Sequence, residues 1–135
     1  MATREEEAAR WRAISRDSRK AAQRLLEAGC CRSSVSRAYY AAYAAITSAL
    51  IRQGITLAHD GNNPSHISLP VLVLNNLTFL PLTARFDLNR ALRRLYAERV
   101  EADYNAAAIV NGGVVIETLR DMNRILTLLD IEETE

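Results

Sequence analysis

Arg37-Ala38-Tyr39-Tyr40-Ala41-Ala42-Tyr43-Ala44-Ala45-Ile46 is a dense run of alanines carrying three tyrosines and one arginine. Alanine is the strongest helix former, so the run predicts a helix whose small side chains let a second helix approach closely. Tyr39 and Tyr43 are four apart and stack on one helical face. Arg37, Tyr40, Ala41 and Ala44 lie three and four apart on a neighbouring face. The polar tips of Arg37 and Tyr40 then sit in or beside a tight interhelical seam. A buried guanidinium needs a partner, and the later run Arg99-Val100-Glu101-Ala102-Asp103-Tyr104 offers one. The two segments are expected to face each other.

Working outward, Ser33 or Ser34 is the expected cap of this helix, which runs to about Gln53 and stops at Gly54. Its expected core stripe is Val35, Tyr39, Ala42, Ile46 and Ala49, close to a heptad spacing. Upstream, Thr3-Arg4-Glu5-Glu6 has the form of a capping box, and three glutamates complement the dipole of a first helix over about 4–28. Trp11, Ile14, Ser18, Ala21 or Ala22, Leu25 and Leu26 keep its apolar spacing, Gly29 ends it, and its arginines belong on the outer face. The short join predicts an antiparallel hairpin of these two helices.

Downstream, residues 54–65 are rich in turn formers and predict a loop. A short helix beginning at Ser65 or Ser68 passes through Leu69, Val71, Leu72, Leu74 and Leu77, with Pro70 in its first turn. Val71-Leu72-Val73-Leu74 could also be a strand, but no second strand is evident to pair with it. After Pro81 a helix is expected from Thr83 to Asn105, with Leu88, Leu92, Leu95 and Arg99 on one face. Asn111-Gly112-Gly113 precedes a last helix from Val114 to about Asp130, striped by Val115, Leu119, Met122, Leu126 and Leu129. The fold class is therefore all-α: four main antiparallel helices plus a short extra one, in a single domain spanning 1–135.

The 135 residues suffice for one domain with a core, and 49% hydrophobic with 24% charged residues is ordinary for a globular protein. No apolar run nears the ~18 residues of a membrane span, and the start lacks a signal-peptide layout, so a cytoplasmic location away from membranes is expected. Cys30 and Cys31 are adjacent, poor geometry for bridging distant parts of a fold, and no spacing suggests zinc. Neither metal nor cofactor is expected. Residues 1–54 carry ten Lys/Arg against five Asp/Glu, whereas 55–135 carry seven against eleven. The basic half could favour an anionic partner or simply face the acidic half. Arg85, Arg90, Arg93 and Arg94 form the densest basic stretch, either a solvated helix face or a strip of phosphate contacts.

Arg37 to Tyr43, Gly54 at the helix end, a loop with histidine (His66 being a candidate), and Arg99, Ala102, Asp103 and Tyr104 together resemble the HEPN family of small helical bundles. The resemblance covers the chain from the first helix through Leu129. It implies a homodimer associated with RNA or a nucleotide, one component of a toxin–antitoxin or defence pair beside a partner such as a minimal nucleotidyltransferase. Many members are metal-independent ribonucleases with an arginine, four to six residues and a histidine. There histidine moves a proton near neutral pH while arginine neutralises phosphate. Arg52 and His59 satisfy that spacing, although Gly54 and the loop follow Arg52, so the pair does not share one late helix.

Three function classes follow. The first is a module that binds RNA or a nucleotide through Arg37, Tyr40, Arg99, Asp103 and Tyr104, arginine gripping phosphate and tyrosine rings offering stacking surfaces. The second is a ribonuclease using Arg52 and His59 as catalytic residues. The third is a non-catalytic dimeric helical adaptor. The same five residues could equally form an internal network in which Asp103 pairs with Arg37 or Arg99 and the tyrosine hydroxyls satisfy what is left.

Overall fold

A computed structural model describes residues 2–55 and 65–131. Five helices and no strand occur among them: α1 (Arg4–Glu27), α2 (Cys31–Arg52), α3 (Leu69–Asn76), α4 (Leu82–Tyr104) and α5 (Gly112–Leu128). The all-α expectation holds, and the helical reading of 71–74 is correct.

The organising element is α2, which packs against all four other helices. Thirteen of its residues are buried, including Ala38, Ala41, Ala42, Ala44 and Ala45. Of the expected stripe, Val35, Tyr39, Ala42 and Ile46 are buried and Ala49 is half-buried, and burial extends around most of the helix because alanines let neighbours close in from several sides.

α1 and α2 form the expected antiparallel hairpin. Ser34 donates its hydroxyl to the Ala22 carbonyl at 2.6 Å, Ser15 to that of Ala41 at 2.7 Å, and Ser48 to that of Ala8 at 2.7 Å. As the α2 position rises by two turns, the α1 partner falls by two turns, so one small hydroxyl marks each heptad of the seam. Ser34 is thus committed across the hairpin and is not the helix cap; α2 begins at Cys31 without a side-chain cap. The buried face of α1 is Ala8, Ser15, Ser18, Arg19 and Ala22, while Ile14 is 46% exposed. The expected spacing holds at Ser18 and Ala22 but fails at Ile14, because Ser15 and Arg19 occupy the buried face beside them.

The chain breaks obey local rules. Thr3 and Glu6 form the reciprocal capping box. Gly29 and Gly54 adopt φ of +77° and +80°, and the Cys30 and Ile55 amides bond back to Leu25 and Leu50, closing each helix in a Schellman turn. α5 is capped by Asn111 and starts at Gly112, two residues before the expected Val114. Its stripe of Val115, Leu119, Met122, Leu126 and Leu129 is buried as expected.

α4 runs antiparallel to both α2 and α5. Its end meets the start of α2, where Ser36 reaches Asp103. On its other side Arg94 pairs with Asp121, and Asp87 with Arg124. α3 is tied to α4 by Asn89, which donates to the Pro70 carbonyl at 2.7 Å, and by Arg85, which donates to Leu74 at 2.7 Å. No described helix is long and apolar enough to cross a membrane.

Candidate functional site

The antiparallel register of α2 and α4 brings the two sequence runs together. Arg99 lies one turn before Asp103 on α4, and its Nε donates to the Asp103 carboxylate at 3.0 Å. Ser36 of α2 donates to the same carboxylate oxygen at 3.2 Å. Asp103 therefore pairs with Arg99 and not with Arg37.

The Arg99 guanidinium also lies over three tyrosine rings, at 5.9 Å from the Tyr39 centroid, 5.3 Å from Tyr40 and 5.4 Å from Tyr104. Arg37 lies 5.0 Å from the Tyr40 centroid and makes no ion pair among the described residues. Tyr40 is thus shared by two cations, each within the ~6 Å range of cation–π attraction. Arg37, Tyr40 and Arg99 are all half-buried, whereas Tyr104 is 74% exposed.

His66, in the turn leading into α3, completes the cluster. Its ring stacks on Tyr96 of α4 at 5.6 Å and 26°, and it lies 5.2 Å from Tyr43 and 6.3 Å from Tyr40. The Tyr39 hydroxyl is within 2.5 Å of its Nδ1. Burial, with Arg99 adding positive charge nearby, pushes the His66 pKa below its ordinary value. Burial raises Tyr39, with Tyr43 and Tyr40 reinforcing it, and burial also raises Tyr43. For Arg99, burial disfavours the charge, but Tyr40, Tyr104 and Asp103 outweigh it and the pKa rises. Near neutral pH His66 is therefore a neutral imidazole, and Tyr39 and Tyr43 keep their phenolic protons.

The sequence placed Tyr39 in the core stripe, set Tyr43 on the same helical face, and left Tyr96 unremarked. A buried tyrosine hydroxyl demands a hydrogen-bond partner. Of the two histidines in the chain, His66 is the one the structure sets against it.

Arg52 is elsewhere. It ends α2, roughly 18 Å along the axis from Tyr40 at 1.5 Å per residue, and lies 3.7 Å from Glu5 with both side chains well exposed. With Arg12, Phe79 and Asp130 it lines a separate cavity of about 280 Å³. His59 lies outside the described residues. The basic stretch of α4 is largely engaged internally: Arg85 holds carbonyls, Arg90 lies 3.4 Å from Asp87, and Arg94 makes two bonds to Asp121 at 3.0 and 2.9 Å. No group of three metal-ligating side chains occurs among the described residues.

This bundle, with an arginine–tyrosine seam between its second and fourth helices, fits the family its motifs suggest. The HEPN domain family model matches residues 8–132, and the chain belongs to that family. No curated protein matches the chain.

Proposed function

We propose that this HEPN domain binds the phosphates of RNA or of a nucleotide through Arg37 and Arg99. Tyr40 and Tyr104 offer ring surfaces beside them, and Asp103 orients Arg99. In this reading the chain acts as a homodimer and as one component of a toxin–antitoxin or defence pair, with a partner such as a minimal nucleotidyltransferase. The observation that carries the reading is the placement of two guanidinium groups at 5.0 and 5.3 Å on one half-buried tyrosine ring. One of them has no carboxylate partner among the described residues, which leaves its charge open to a phosphate. Arginine presents a planar fork suited to phosphate, and a ring that holds the fork in place reduces the entropy lost on binding.

Anisotropy of a labelled single-stranded RNA, titrated over a range of salt, tests this. Each phosphate contact contributes about 0.7 to the slope of log K against log salt. Arg37→Gln and Arg99→Gln are each expected to flatten the slope by roughly that amount. Absence of binding at low salt, or a slope that neither substitution changes, would sink the proposal. The same mixture, held without added metal and run on a gel beside His59→Ala, reads the ribonuclease alternative separately. Cleavage that disappears only in His59→Ala would assign turnover to Arg52 and His59.

A further inference from the structure

Beside the two-cation ring, a cleft of about 360 Å³ opens against α1 and α2. That lies at the lower end of the ~300–1,000 Å³ spanned by small-molecule clefts. Among the described residues, four of its lining side chains are rings: Trp11, Tyr40, Tyr43 and His66. Trp11 meets Tyr43 edge-on with centroids 6.1 Å apart, and Tyr43 is 5.2 Å from His66. Fully buried Ala44 lies between them, its single methyl leaving the space unfilled.

Two polar groups also reach this space. Ser18 is only 4% exposed and has no hydrogen-bond partner among the described residues. The other three buried serines of the hairpin each hold a carbonyl. Its oxygen is not sealed from solvent, so the hydroxyl is open to the cleft that Ser18 lines and can both donate and accept there. Arg37 lines it as well, half-buried and held against Tyr40.

We propose that this cleft holds one unpaired nucleobase, its face against the Trp11 and tyrosine rings, an edge on Ser18 and its phosphate on Arg37. The inference rests on the reading of Arg37 and Arg99 as phosphate ligands and narrows it. The ligand is a nucleotide whose base is free of its own stack, supplied by a single strand or as a free mononucleotide. A duplex keeps its bases paired and cannot deliver one without flipping it out. Every base has a π face, and a hydroxyl both donates and accepts, so weak base preference is expected.

Trp11 is the one tryptophan of the chain, so its fluorescence reports on this cleft alone. The full chain is titrated at low salt with a mixed-sequence RNA decamer, the same decamer as a duplex, AMP and inorganic phosphate. Saturable quenching by the single strand and AMP, with none by phosphate and little by duplex, is expected. Ser18→Ala is expected to weaken AMP about fivefold, the loss of one hydrogen bond, with an unchanged circular dichroism spectrum. RNA binding that leaves Trp11 emission unchanged, or equal quenching by duplex, would overturn the base cleft while leaving the phosphate reading intact. No response to any probe, together with no RNA binding in the anisotropy titration, overturns both. Quenching by AMP without RNA binding supports the cleft and identifies the free nucleotide as its source.

Discussion

The Tyr39 hydroxyl and Nδ1 of His66 lie 2.5 Å apart in a hydrogen bond, and the direction of this bond sets the state of the imidazole. Burial keeps the proton on Tyr39 and disfavours a charged His66. A proton on Nδ1 would leave the Tyr39 hydroxyl proton without an acceptor among the described residues, on a side chain only 1% exposed. His66 is therefore expected as the neutral Nε2–H tautomer, which imidazole nitrogen shifts measure directly. Tyr39→Phe should cost about 1–2 kcal/mol in urea unfolding and release that tautomer preference. A predominant Nδ1–H form in the wild type would refute the assignment.

The depressed His66 pKa also predicts a direction for acid stability. In the unfolded chain the group titrates near 6.5. Between that value and its lower folded value, the unfolded state binds more protons than the folded one. Stability therefore rises with pH across this window, and the contribution is lost as pH falls from about 6.5 through the folded pKa. Among the described residues, the groups facing the imidazole are Tyr39, Tyr40, Tyr43, Tyr96 and Arg99, and none of these is a carboxylate that would oppose the effect. His66→Asn should flatten urea midpoints over that range relative to wild type. Parallel curves for the two proteins would show that His66 is not responsible.

Much of this arrangement was legible because two sequence runs carried complementary chemistry. Arg37 to Tyr43 and Arg99 to Tyr104 face each other as expected, and the α5 stripe was readable from spacing alone. The buried face of α1 was legible only in part: Ser18 and Ala22 were on the expected stripe, but Ser15 and Arg19 look like surface residues until their acceptors, the Ala41 and Ile131 carbonyls, are known. Arg85, Arg90 and Arg94 looked like a basic strip, but Arg85 reaches Leu74 in α3 and Arg94 reaches Asp121 on α5, at separations that no local pattern encodes, while Arg90 pairs locally with Asp87. Trp11, Tyr96 and His66 come from three segments, and only tertiary packing brings their rings together. Asp130 takes a left-handed φ of +60° without being glycine, so the end of α5 carried no glycine signal.

Arg99 and Asp103 are expected to be unequal partners. Their ion pair is an i,i+4 contact whose side chains are 12% and 27% exposed, so Asp103→Asn should cost only about 0.5 kcal/mol. Arg99→Met removes the cation from three rings and should cost about 1–2 kcal/mol. It also removes one of the two influences that lower His66, so the imidazole pKa should rise in that variant, read from its ring proton shifts. Equal destabilisation by both substitutions, with His66 unmoved, would mean that the rings do not sense the guanidinium.

Arg32 supports the site from behind, and no sequence pattern marked it. From the first turn of α2 it donates to the carbonyls of Ala102 at 3.0 Å, Asn105 at 2.9 Å, Ala106 at 3.2 Å and Ala108 at 2.7 Å. The last carbonyls of α4 have no partners within their own helix, and a cation at that end also complements the dipole. The contact ties the start of α2 to the end of α4, the register that sets Ser36 against Asp103 and Arg99 against Tyr40. Arg32→Ala should cost about 2–3 kcal/mol and raise amide exchange at the end of α4. Arg32→Lys should recover little of this, because a single ammonium cannot span carbonyls that a planar fork reaches together. Wild-type stability in Arg32→Lys would instead show that a point charge at the helix end is sufficient.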